Sequence, residues 1–318
     1  MNYIEELKNK INESKNIAVL HHTVPDGDAI GSSFALCLML KKMGKKAEVL
    51  MEKPLHKEFH FLGGKDDIVS FSQSSSYDLI ITCDCSDTKR LTVFEKLFKN
   101  QKNTINIDHH ITNENFAKIN IVDAKASSAC ELLYLIFKEL SWQTDKTIRN
   151  YLYCGIIRDS GGFMNDNTTA RTHQVAGEMI EQGIDDVTIN RNLMRTNSIK
   201  SMLLLKCALN NMNFNQNKKL VWSNLSLDDY KTCDAVLEDS GAIVGQLVSI
   251  EDVEISMMIS ESTPNVHKIS LRSKNDIDVS LICKAFGGGG HKKASGCQLK
   301  GKINNVVNQM TKEIAKYI

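Results

Sequence analysis

His22-Thr23-Val24-Pro25-Asp26-Gly27-Asp28-Ala29-Ile30-Gly31-Ser32-Ser33 lies between a short apolar run, Ile17-Ala18-Val19-Leu20, and a run from Phe34 to Met43 whose apolar residues recur at helical spacing. The first run is partly β-branched and suits a buried strand, so the local order reads strand, loop, helix. Pro25 fixes its own φ and drives Val24 towards an extended conformation, so that His22, Asp26 and Asp28 can converge from a tight loop at the strand's carboxyl end. Open α/β sheets place their ligands at that edge. A blander account serves these residues too, since Asp26-Gly27 and Asp28 are good turn formers and helix caps.

Three further stretches repeat the arrangement. Tyr77 to Cys83 runs into Asp84, Thr104 to Ile107 into Asp108-His109-His110, and Leu152 to Ile157 into Asp159. A donor set of aspartates and histidines without thiolate suits hard divalent cations, and manganese, which accepts imidazole beside carboxylate, ahead of zinc. Cys83 and Cys85 flank Asp84, but period-two alternation turns both away from it into packing positions, and His21 is turned from His22 in the same way. His56 and His60 stand one turn apart in an expected short helix, His56 to Leu62, closed by Gly63-Gly64. No glutamate completes an HExxH pattern there, so a surface or packing role is expected.

At 318 residues the chain has room for about two domains and an ample core. Its formal net charge of +1 lacks the basic excess of a protein that grips long nucleic acid, and short anionic ligands fit better. Nine cysteines, an odd number without paired CxxC spacing, argue for reduced thiols in a cytoplasmic protein. No long uninterrupted apolar span marks a membrane segment, and Met1 to Ser14 is charged and amphipathic rather than signal-like.

In chain order, the pattern predicts a helix over Ile4–Ile11, strands at Ile17–Leu20 and Ala47–Met51, strands ending at Asp84 and Asp108 with a helix from Thr88 to Phe98 between them, and helices over Ala129–Leu140, Lys146–Ile157 and up to Met179. Alternating strands and helices predict an α/β domain, 1–187, with a mostly parallel sheet. Ser128 is three residues before Glu131, the spacing of a capping box, and the helix that it caps offers an anion site at its amino terminus. Polar residues 188–200 read as a partly helical linker that allows hinge closure. A smaller α+β domain, 201–318, follows, with a helix at Met202–Met212 and strands near Leu220–Trp222, Val253–Ile259 and His267–Arg272. Its helix from Asp278 to Phe286 ends at four glycines before His291. Such a run lets backbone approach a ligand and point N–H groups at an anion, although it also serves as a hairpin or a helix stop, and it lacks the ending of a Walker loop.

Asp108-His109-His110, the His22-to-Asp28 motif and Gly287-Gly288-Gly289-Gly290-His291 together resemble the DHH/DHHA1 phosphoesterases, particularly the short members of the oligoribonuclease (nano-RNase) and pAp phosphatase group. Asp123, Ala126 to Glu131, Gly155 to Phe163 and Ile269 to Ser273 extend the resemblance over nearly the whole chain. Ser160 departs where Thr is commoner, and Lys293 and Ser295 where Asn and Ala are expected. These departures bear on substrate preference rather than on the metal site.

The resemblance implies two divalent cations, manganese before magnesium. His22, Asp26 and Asp84 would hold one, and Asp28, Asp84, His109 and Asp159 the other, with Asp84 bridging. Water activated by the pair would attack phosphorus; His110 would contact the scissile phosphate or protonate the leaving oxygen, and Asp108 would orient a histidine. Arg272, Gly288, Gly289, Gly290 and His291, with Ser128, would hold the substrate. The implied substrates are oligonucleotides of two to five residues, linear dinucleotides, or pAp, with no long nucleic acid or membrane as a stable partner and a homodimer admitted. Cyclic-dinucleotide phosphodiesterases use similar chemistry but usually carry membrane and sensory segments. A pyrophosphatase should lack the glycine-histidine motif, and a RecJ-like exonuclease should be longer. A non-catalytic nucleotide sensor would have no need of the full ligand set, and metal-dependent phosphate release separates it from an enzyme.

Overall fold

The computed structural model describes residues 3–63, 69–70 and 76–318. It divides into two compact units, Met1–Thr196 and Asn197–Ile318. The first contains, in order, α1 (Tyr3–Glu13), β1 (Asn16–Leu20), α2 (Gly27–Lys42), β2 (Lys46–Leu50), β3 (Val69–Ser70), β4 (Leu79–Cys83), α3 (Glu95–Asn100), β5 (Thr104–Asp108), β6 (Ile119–Val122), α4 (Ala129–Glu139), α5 (Lys146–Asp159), α6 (Ala170–Glu181) and α7 (Asp186–Asn190).

Its sheet runs β3-β2-β1-β4-β5-β6 with every pairing parallel. Leu79-Ile80-Ile81-Thr82-Cys83 and Thr104 to Asp108 are buried along their whole length; the first reads as a nearly continuous apolar run, whereas Thr104, Asn106 and Asp108 alternate with Ile105 and Ile107, and the buried Asn106 is satisfied by Thr82 and the Cys85 carbonyl. Strand order reverses between β1 and β4. The chain therefore leaves β1, β4 and β5 beside a topological switch point, where α/β sheets open a crevice.

α2 starts at Gly27, seven residues earlier than the apolar spacing suggests, with Asp26 as N-cap accepting from the N–H groups of Asp28 and Ala29 at 3.0 and 3.1 Å. It is buried nearly all round, which removes the one-sided stripe that marks a surface helix. α2 and α5 approach closely because glycines face the contact. A Cβ on Gly31 would lie 2.5 Å from the Tyr151 carbonyl oxygen and 2.8 Å from Cys130 Sγ. Gly31→Ala should therefore destabilise the first unit by about 3 kcal/mol through overpacking, read as a lower denaturant midpoint at unchanged m-value.

A 3₁₀ turn occupies Lys57–Leu62, closed by Gly63 at φ 72°, and Gly64 lies outside the described residues. His60 Nε2 meets the Leu55 carbonyl and His56 Nδ1 lies 3.3 Å from Glu58. Among the described residues neither joins a group able to hold a metal. Within the stretch read as a linker, α7 and a π-helical turn at Arg191–Arg195 bring Ile189 and Leu193 into the first unit's core.

The second unit contains α8 (Ile199–Asn210), β7 (Asn213–Phe214), β8 (Leu220–Leu225), α9 (Leu227–Thr232), α10 (Ile243–Val248), β9 (Ile255–Thr263), β10 (Val266–Ser273), α11 (Val279–Lys284), β11 (Gly289–His291), β12 (Ala294–Lys300) and α12 (Ile303–Ile314). Its sheet runs β11-β12-β10-β9-β8-β7, antiparallel except for β8 against β9. The glycine run is not a free loop: Gly289-Gly290-His291 pairs with Ala294–Gly296 as a hairpin at the sheet edge. A Cβ on Gly288 would sit 2.2 Å from the Gly296 carbonyl oxygen, and Gly290 has φ 145° with its Cβ position 2.5 Å from the Ala294 carbonyl oxygen. Those two glycines are required by the hairpin itself. Space around Gly289 is open to 4 Å. Among the described residues, no helix is long and apolar enough to cross a membrane.

Candidate metal centre

The carboxyl ends of β1, β4 and β5, the first turn of α2 and the last turn of α5 bring seven polar side chains together. Ligand atoms of His22, Asp26 and Asp84 lie within 4.8 Å of one another, as do those of Asp28, His109 and Asp159, and those of Asp84, His109 and His110. His22 Nε2 is 3.4 Å from Asp84 Oδ2. His109 Nε2 is 3.1 Å from Asp159 Oδ2, 3.6 Å from Asp84 Oδ1 and 3.7 Å from Asp28 Oδ2. Asp26 is at once cap and cluster member, so the bland and the chemical accounts of the opening motif both hold for the same carboxylate.

Local structure aims these groups. Asp84 leaves the strand with φ 53°, a left-handed conformation that Asp tolerates better than most residues, and its N–H donates to the Ile107 carbonyl at 3.0 Å. His109 Nδ1 lies 3.3 Å from the Ala126 carbonyl, which only accepts, so Nδ1 carries a proton and Nε2 is the nitrogen turned to the carboxylates, where its own proton can give way to a cation. His110 Nδ1 is 2.8 Å from Asp108 Oδ1, while Asn113 donates to the other Asp108 oxygen and to Asn106. The fully buried Asp108 thus touches His110 and stands outside the three clusters.

Electrostatics show what the arrangement lacks. Burial and the neighbouring charges of Asp84 and Asp159 push the Asp28 carboxyl well above the usual range, against the pull of the Ala129 and Cys130 N–H groups that it accepts at 2.6 and 2.9 Å. Burial opposes ionisation of Asp84 as well, but His109 and His22 outweigh it and hold that carboxyl below its ordinary value. Burial disfavours charge on His109, yet Asp159, Asp84 and Asp28 overcome it and push its pKa up to about 12. Without other positive charge, a proton on His109 is what balances the carboxylates. Asp84 Oδ1 is buried with no hydrogen-bond partner among the described residues. Four carboxylates, three imidazoles, no thiolate and an orphaned inward oxygen fit hard divalent cations.

Ser128 is fully buried, and its hydroxyl accepts the Glu131 N–H at 3.0 Å as the cap of α4. The group at that helix head is the Asp28 carboxyl, 101 residues away in sequence from Ala129, so the capped terminus serves the cluster. Glu131 makes no return bond to Ser128. It accepts instead from Ser127, Thr172 and Arg171, and Arg171 also reaches Asp123 at 2.8 Å. Asn167 donates to the Ser127 and Asp159 carbonyls. These contacts fix the loop that supplies the Ala126 carbonyl, and nothing local in the sequence signals Asn113, Asn167 or Arg171. His21, Cys83 and Cys85 are buried outside the three clusters.

In the second unit, Arg272 of β10 pairs with Ala294 of β12, which pairs with His291 of β11, so all three side chains lie in one row on one sheet face. The Arg272 guanidinium donates to the Leu271 carbonyl at 2.9 Å, and no carboxylate among the described residues lies within 4.0 Å of it. Burial lowers its pKa.

The family model described as DHH family, N-terminal domain, matches residues 16–156, and that of the DHHA1 domain matches residues 231–318. Over 290 residues the chain is 28% identical to a bifunctional oligoribonuclease and PAP phosphatase of Thermus thermophilus, covering 90% of this chain and 84% of that protein. A protein of the same description from Mycoplasma genitalium is 28% identical over 315 residues, 98% of each chain. Among solved structures, an exopolyphosphatase-related protein from Bacteroides fragilis superposes with a TM-score of 0.93 at 26% identity, covering 99% of this chain and 96% of that one. With both domain models matched in order and a two-unit fold shared end to end, the chain belongs to the DHH family and carries that family's DHHA1 domain.

Proposed function

We propose that the chain is a metal-dependent phosphoesterase that hydrolyses oligonucleotides of two to five residues, including linear dinucleotides, to mononucleotides, and pAp to AMP and phosphate. The observation that carries this is the cluster of four carboxylates around two inward imidazole faces, a charge distribution that calls for divalent cations beside a phosphate. The names of the relatives support the substrate class. His22, Asp26 and Asp84 would hold one cation, and Asp28, Asp84, His109 and Asp159 the other, with manganese the favoured ion. Bound there, the pair would polarise a phosphoryl oxygen and lower the pKa of a water.

The chain's own residues do the rest. Asp108 fixes the tautomer and orientation of His110, and Asp108 and Asp84 together raise the His110 pKa against the opposing effect of burial, which suits a group that protonates a leaving oxygen. Arg272 offers a planar, bidentate partner to a terminal phosphate, and the open backbone at Gly289 beside His291 suits close approach of a nucleotide. Near-neutral net charge and free cysteines suit short substrates in a reducing cytoplasm.

The test is phosphate and mononucleotide release from pAp, a linear dinucleotide, a cyclic dinucleotide and a long RNA, with and without manganese. Fast, metal-dependent turnover of the first two is expected; equal or greater activity on the long strand would contradict the assignment. A pH dependence follows from the charge balance. A cation must displace the proton that His109 holds up to about pH 12 and any proton on Asp28, so apparent metal affinity should rise about tenfold per pH unit for each proton released between pH 6 and 8. Calorimetry in buffers of different ionisation enthalpy reads that proton release directly; an affinity flat across this range would contradict it.

A further inference from the structure

Three of the segments that carry candidate metal ligands meet at one side chain that belongs to none of the clusters. Asn167 lies in the turn between α5 and α6, a turn fixed by the Thr168 N–H, which donates to the Asn165 carbonyl at 3.0 Å, and by the capping box at Thr169 that starts α6. Its amide nitrogen has two hydrogens to donate, and it bonds two main-chain carbonyls remote from each other in sequence, Ser127 at 2.8 Å and Asp159 at 3.2 Å.

What those two carbonyls carry makes the link specific. Ser127 is fully buried and held at each of its polar groups, its N–H and hydroxyl by Glu131 at 3.1 and 2.6 Å and its carbonyl by Asn167. Just before it in the chain, the Ala126 carbonyl orients His109 through Nδ1; just after it, the Ala129 and Cys130 N–H groups orient the Asp28 carboxyl. The second carbonyl is that of Asp159 itself. One amide therefore spans the supports of Asp28, His109 and Asp159, whose ligand atoms form one of the candidate cation groups.

The other side of the centre is held differently. Asp26 is fixed by the Asp28 and Ala29 N–H groups, and Asp84 by its own N–H on the Ile107 carbonyl. Asn165 also donates to the Asp159 carbonyl, at 2.8 Å, but among the described residues it makes no bond to Ser127.

We infer that Asn167 is a positioning residue for one of the two cations, keeping Asp28, His109 and Asp159 in register without acting on the His22 and Asp26 side of the centre. The inference rests on the two-cation reading above and goes beyond it in giving the two sites separate supports. Groups that orient metal ligands without touching the metal contribute about 10- to 100-fold in affinity.

Manganese titration of the metal-stripped full chain, followed by electron paramagnetic resonance, tests this on Asn167→Ala and Asn167→Asp; the first removes both donors, and the second also sets a carboxylate against the two carbonyls. Both variants should keep the parent's circular dichroism, and each should retain one ion while the other binds at least ~tenfold more weakly and the spin coupling between the pair is lost. Adding Asp159→Asn to Asn167→Ala should cost little more, whereas adding Asp26→Asn should remove the remaining ion, a pattern that a general loosening of the fold does not give. Asn165→Ala, whose parent side chain reaches only one of the two carbonyls, should have the smaller effect. Two ions bound as in the parent, equal weakening of both, or loss of the fold in both variants would overturn the inference while leaving the two-ion reading of the parent intact. A parent chain that binds no ion would overturn both.

Discussion

Asp84→Asn should lower kcat on a linear dinucleotide by on the order of 10³-fold or more while leaving the fold intact. Asp84 is the one carboxylate shared by two of the clusters, within reach of His22 and Asp26 on one side and of His109 and His110 on the other. It is 2% exposed, and its Oδ1 has no hydrogen-bond partner among the described residues, so the carboxylate has no structural duty that an amide of the same size could not take over. Asn also tolerates the left-handed backbone that this position requires. Circular dichroism and the thermal midpoint should stay near those of the parent chain, and bound metal should fall. A variant with folded spectra and kcat within tenfold of the parent would remove Asp84 from the chemistry.

Arg272→Ala should cost about 3 kcal/mol of transition-state binding, on the order of 100-fold in kcat/KM, carried mostly by KM. The guanidinium has only a neighbouring carbonyl as partner among the described residues, so no carboxylate would compete with the terminal phosphate that the proposed function assigns to it. A bidentate pair with phosphate is what arginine supplies and lysine does not, so Arg272→Lys should recover little of the loss. An effect confined to kcat, or full rescue by Lys, would place Arg272 elsewhere in the mechanism.

Much of the first unit was legible because a parallel sheet buries its central strands on both faces. Leu79 to Cys83 reads as a nearly unbroken apolar run and leads straight into Asp84, and the β-branched Ile105 and Ile107 mark a strand that leads through Asp108 to His109. Asp159 arrives from a helix end, as the Lys146–Ile157 periodicity suggests. What stayed hidden depends on contacts remote in sequence. The α4 amino terminus advertises an anion site, but its occupant, Asp28, comes from 101 residues upstream, and no local pattern encodes that. Asn113 joins Asp108 only because a loop folds back over β5, and Arg171 meets Glu131 and Asp123 from the next helix but one. In the second unit, α9 and α10 are six residues each, too short for a helical period to emerge. The glycine run looks like a loop because strand propensity disfavours glycine, whereas close pairing with β12 demands it at Gly288 and Gly290.

Equilibrium manganese binding to the metal-stripped chain, counted by electron paramagnetic resonance with Asp84→Asn measured in parallel, tests the central claim most directly. Two bound ions per chain, spin-coupled through a shared ligand and reduced to weak uncoupled binding by Asp84→Asn, is the expected result. A chain that binds no ion above background, or binds ions indifferent to Asp84, would contradict it.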